Sequence, residues 1–215
     1  MTELKNDKNA KAFAGWVSIC GAISMIIGAI FWGSSGTDLW QTLATGQMQS
    51  YLSKLPEVQH LLVINTSFWI MGVLLLATAG TFMSGFCISN LRLATFSQVF
   101  MCSAAPIAIV SFMIMLSLAI HPPSAESAIT IGWIGTVLDD VATFLIIGAS
   151  PFILSISGKD DWVPGWLVWW GYLAGIAGLV SIVGMLIGVA AIGFFIIPFG
   201  IGWMIAAGVV LIKKK

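Results

Sequence analysis

Residues 166–212 run without one charged side chain. As a single helix that stretch would measure about 70 Å, more than twice the ~30 Å hydrocarbon core of a bilayer. It therefore reads as two membrane spans joined by a tight turn, for which Ala190, Ala191 and Gly193 are candidates. Four more apolar segments precede it. Backbone in lipid must satisfy its own hydrogen bonds, and runs of this length do so as helices. The spans are expected at about 13–33, 61–82, 94–120, 129–155, 166–189 and 192–212. With 59% hydrophobic and 8% charged residues, against about 25% charged in soluble domains, most of the 215 residues belong in lipid. The expectation is an all-α integral membrane protein, a six-transmembrane-helix bundle forming one membrane domain over residues 1–215.

The basic residues orient it. Lys5, Lys8, Lys11, Arg92, Lys159 and Lys213–Lys215 fall on one side of a six-span chain, and only Lys54 falls on the other. By the positive-inside rule both termini are expected in the cytoplasm, and losing one span would scramble the asymmetry. The layout suits the cell (inner) membrane of a prokaryote. The first span is longer than a signal-peptide core and lacks a clear cleavage site, so it reads as a retained signal anchor. Net charge is zero, with no basic stripe and no zinc-finger or helix–turn–helix pattern, so the partner is the lipid bilayer and not nucleic acid. A homo-oligomer or a partner membrane protein stays open.

The longest connection, about residues 34–60, carries Trp40, Leu43, Gln47, Met48, Tyr51, Leu52 and Leu55 at helical spacing. Thr37 or Asp38 can cap its start and Pro56 follows. This predicts a short amphipathic helix over about 38–55, on the outer side between the first two spans. It either packs over loop ends or covers a vestibule. Trp32, Trp40, Trp133, Trp162, Trp166, Trp169 and Trp170 read as interface anchors. Gly171-xxx-Gly175, Gly184-xxx-Gly188 and Ser24-xxx-Gly28 set small residues one turn apart, for close helix packing within the bundle or between protomers. Cys20, Cys87 and Cys102 lie in or beside apolar spans and suggest no disulfide framework.

Several chemistries lack their residues. No span contains Lys, so no retinal Schiff base is expected. No span contains His, so intramembrane bis-His haem ligation is not expected either. Other cofactors, and any metal, are left unknown. No Arg lies in a span, and there is no H-E-x-x-H, metal-spaced Cys pair or Walker motif. Whether the chain is an enzyme is left open, leaning against it.

One feature points to function. Asp139 and Asp140 are adjacent in the fourth apolar run, close to its midpoint. An ionised carboxylate at the bilayer centre costs roughly 2.5–3.5 kcal/mol on insertion scales. A proton, a cation, a polar cavity or a partner must offset that cost. Adjacent helix residues project about 100° apart, so the two carboxyls need not share a site. Thr143 is one turn from Asp139, and Thr136 is one turn from Asp140. These four residues form the candidate proton or cation site. By depth alone, Asn65, Gln98, His60 and His121, with Glu57 and Glu126 near the outer mouth, mark a possible pathway. The sequence reading is a transporter, channel or sensor for a small solute or ion. The alternative is a non-catalytic membrane subunit, scaffold or assembly partner of a larger membrane complex, whose signature is co-purification with another protein and a closed bundle.

Overall fold

The computed structural model describes residues 7–186, 189 and 195–213, and these are helical with no strand. The helices are α1 (Lys8–Ser35), α2 (Leu39–Thr45), α3 (Met48–Gly85), α4 (Leu91–Ile120), α5 (Ala125–Ser157), α6 (Gly165–Leu186) and α7 (Ile196–Lys213). All but α2 are long and apolar enough to cross a membrane, the six expected from the sequence. The expected turn at Ala190, Ala191 and Gly193, together with Gly188, Lys5, Lys214 and Lys215, lies outside the described residues. The fourth span is longer at both ends than expected, and α7 is described only from Ile196.

Side chains close the helix ends. Asp7 accepts from the Asn9 and Ala10 amides at 2.9 and 3.1 Å at the start of α1. Asp38 accepts from the Gln41 amide at 3.0 Å at the start of α2. Asn90 and Ser124 do the same for α4 and α5. Each such cap satisfies a backbone donor that the helix cannot.

The amphipathic helix expected over 38–55 is not one helix, and this part of the reading is corrected. Gly36 (φ 61°) and Gly46 (φ 70°) are left-handed and bracket α2. Glycine is the residue that enters that region without steric cost, so α2 stops at Thr45. The rest, from Met48, is the first part of α3, which runs through Pro56 and on to Gly85. Pro56 removes one helical hydrogen bond but does not end the helix. Tyr51, Leu55 and Leu62 continue one buried stripe across it, packed with Leu39 and Leu43 of α2 and Leu118 of α4. The apolar spacing seen in the sequence is thus a second core at one end of the bundle.

The six long helices form a closed ring. Each of α1, α3, α4, α5, α6 and α7 packs on the next, and α7 returns to α1. Small residues make the closure possible. A Cβ on Gly208 of α7 would fall 2.6 Å from the Gly15 carbonyl oxygen of α1. Ser18 Oγ donates to the Met204 carbonyl across the same seam at 2.8 Å. Ser24 Oγ donates to the Phe68 carbonyl at 2.8 Å, and a Cβ on Gly28 would meet the Trp69 ring. Gly171 and Gly175 of α6 lie against Ser155 and Phe152 of α5. The Ser24–Gly28 and Gly171–Gly175 motifs therefore pack inside the bundle.

Midway along α5, residues Phe144–Ala149 widen into a π-helical turn, and the Ser150 amide bonds to the Leu145 carbonyl. Pro151 follows at once and has no N–H to donate, a setting that favours a locally loosened helix. Here Gly200 of α7 abuts the Ile147 backbone. At the end where α1 begins, the loop after α5 is pinned to the loop after α3. Asp161 accepts from the Ser89 amide at 2.8 Å, and Trp162 Nε1 donates to Cys87 Sγ at 3.2 Å. Trp162 is 1% exposed and stacks edge-on to Trp203. It is core rather than an interface anchor, whereas Trp169 is 70% exposed.

Candidate functional site

Asp139 and Asp140 sit near the centre of the 33-residue α5, one turn before the π-helical segment. Despite their different directions around the helix, both line one cavity of about 370 Å³. It lies between α1, α5, α6 and α7 and is closed toward α2 by aromatic rings. Its wall is almost wholly apolar: Met25, Ile26 and Ala29 on one side, Ile182, Ile196 and Ile201 on the other. The polar contribution comes from the two aspartates, Thr143, Ser181 and the Trp40 indole. Among the described residues, no Lys, Arg or His lines it.

Each carboxyl has a different partner. Thr143, one turn on, is within hydrogen-bonding reach of Asp139. Trp40 Nε1, from α2, donates to Asp140 Oδ1 at 3.3 Å. That bond joins residues a hundred positions apart in the chain. Trp40 itself leans edge-on against Trp32, and Trp69 packs 5.2 Å from Phe112. Trp40, Trp69 and Phe112 also form the near wall of a pocket of about 30 Å³. That small pocket shares Thr37 and Tyr51 with a polar recess of about 160 Å³ walled by Asp38, Thr42 and Lys54. A row of three spaces thus leads from the α2 end of the bundle to the aspartates, with the three aromatic rings as the last partition.

The other residues singled out from the sequence are placed as follows. Thr136 is buried at 1% exposure and returns its hydroxyl to its own helix at Trp133, so it does not join the pair. Asn65 is buried, donates to the Gly28 carbonyl at 2.9 Å, and borders the small pocket rather than the main cavity. Gln98, His60, His121, Glu57 and Glu126 are exposed on the outside of the bundle. Equal depth along a helix did not imply a common face, and the depth-ordered pathway is not assembled. No group of three or more His, Cys, Asp or Glu residues able to hold a metal is found among the described residues.

The sequence reading missed Trp40, Trp69, Phe112 and Ser181. Trp40 had been taken for an interface anchor. Its available signal was its position two residues after the Asp38 cap, which fixes its direction on α2. Compared with family models, curated proteins and solved structures, the chain matches none.

Proposed function

We propose that this is a polytopic membrane protein that moves or senses a small solute or ion, with Asp139 and Asp140 as the proton or cation site. The observation that carries the reading is that both carboxyls open into one cavity of about 370 Å³ whose lining, among the described residues, includes no cationic side chain. Buried carboxyls held by neutral donors exchange protons or pair with cations, since burial and like-charge proximity both act against two simultaneous negative charges. A bundle packed solid around the pair would favour the scaffold alternative; the cavity beside both carboxyls supports the site reading instead. The cell membrane with both chain ends cytoplasmic is part of the same proposal, and it rests on the distribution of Lys and Arg.

Infrared spectroscopy of the protein in lipid nanodiscs tests the reading. A protonated-carboxyl band should appear or vanish between about pH 5 and pH 9. Asp139→Asn and Asp140→Asn should each remove part of it. A spectrum without a titrating carboxyl band in that window would show a pair sealed from proton exchange, and the scaffold alternative would replace this reading.

A further inference from the structure

The geometry points to an organic cation with an apolar body, an aromatic or alkyl ammonium, as the ligand of the Asp139–Asp140 cavity. This rests on the proposal that the pair is a proton or cation site and names the chemical class it serves.

Size is the first argument. A cavity of about 150 Å³ is known to house benzene, and this one is more than twice that volume. Small-molecule sites have this character, a mostly apolar wall with a few converging polar groups.

Charge is the second. With no cationic side chain on the wall among the described residues, an anionic ligand would meet two carboxyls and nothing to pair with. A neutral ligand would leave the carboxyls protonated and make no use of their charge. A bare metal cation takes six or more oxygens converging on one point; the two carboxyls and two hydroxyls supply six at most, projecting in different directions from α5 and α6 amid hydrocarbon. An organic ammonium resolves each mismatch. Its nitrogen pairs with the aspartates, and its apolar body replaces water against Met25, Ile182 and Ile201. The rings of Trp40, Trp69 and Phe112 border the same cavity, and aromatic rings attract a positive nitrogen that comes over their faces.

Access is the third. Ile26, Ile30 and Ile197 line the cavity and are 41%, 61% and 39% exposed. These three side chains mark the side from which a ligand would enter.

One cation needs one carboxylate. When it binds, a proton held by the pair leaves to the buffer. Cation and proton therefore compete, and affinity should fall as pH falls.

Titration calorimetry on the protein in nanodiscs decides the question, with benzyltrimethylammonium as the probe. Its neutral isostere, neopentylbenzene, and the anion benzoate serve as comparisons. The expected result is one cation per chain, with affinity weakening toward acid pH. The isostere should bind at least about tenfold less tightly, the scale of one ion pair in a desolvated site. Benzoate should not bind. Asp139→Asn/Asp140→Asn should lose at least about tenfold in cation affinity. Ala29→Phe, which fills the cavity from α1 and leaves both carboxyls in place, guards against misfolding of the double variant and should abolish binding. Equal affinity for the isostere, full affinity in either variant, or no cation binding at all would overturn the inference. A titrating infrared band without cation binding would leave the proton site standing and remove only the ligand class. Absence of both would remove the two readings together.

Discussion

Cys87 gives a residue-level handle on the corner that ties the α3–α4 and α5–α6 loops together. It is fully buried in the core and accepts from Trp162. Burial, aided by the nearby Asp161 charge, pushes its thiol up, while hydrogen bonds from Ser157 and Trp162 oppose the shift. A raised folded-state value means that folding favours the neutral thiol. Its contribution is complete below the unfolded thiol pKa, about 8.5, and is lost as pH rises above that. Cys87→Ser keeps an acceptor for Trp162 and does not titrate there. Thermal unfolding from about pH 7 to pH 10 should therefore destabilise the wild type more steeply than Cys87→Ser. Parallel curves would contradict the assignment. At this scale the sequence was legible where charge was conspicuous. Asp139 and Asp140 stood out because carboxylates are costly in an apolar run. Trp40 and Ser181 did not, because an indole or a hydroxyl on such a run is ordinary, and the partners that give them meaning come from distant parts of the chain.

At the scale of elements, the α5–α6 seam is held by absence of side chains. A Cβ on Gly171 would collide with Ser155 Oγ and come within 2.9 Å of the Pro151 carbonyl oxygen. Gly171→Ala should cost about 1–3 kcal/mol, the usual penalty of overpacking. Adding Ser155→Gly should recover part of it, as read by thermal unfolding in detergent. Equal stability of the three proteins would show that the seam is looser than drawn. Helix existence and order were readable from apolar run length, and the caps from Asp38, Asn90 and Ser124. Direction around each helix was not. In a soluble protein a polar residue marks the wet face, but in these helices the packed and the outward faces are both apolar. Gln98 and Asn65 therefore looked equivalent, although one faces out and the other is bonded between α1 and α3. The break at Gly46 and the passage through Pro56 escaped for a related reason. The stripe Tyr51–Leu55–Leu62, which carries α3 across the proline, is stabilised by contacts with α2 and α4 that no local pattern displays.

For the whole molecule, length settles how much of it an apolar slab can hold. At 38 residues α3 is about 57 Å long, far beyond the ~30 Å a hydrocarbon core covers. On the proposed membrane placement its early part, with Lys54, Glu57 and His60, extends beyond that slab. The seam of Gly15 against Gly208 has a consequence for the order in which the helices are strung. Because α7 lies beside α1 and the two run in opposite directions, the bundle is a circle that happens to be opened at one joint. Another joint at the same end should serve as well. A circular permutant that links residue 215 to residue 1 and starts at Ser89 keeps every helix in its direction. It also leaves a new ammonium at Ser89 facing the Asp161 carboxylate that already accepts from that nitrogen at 2.8 Å. Such a protein should insert, unfold within a few degrees of the parent and keep the same cavity. Failure to accumulate in membranes would mean that the α3–α4 connection, and not the packing of the ring, guides assembly. Success would mean that the cycle of neighbours around the two aspartates, and not the order in which its helices are strung, specifies the fold.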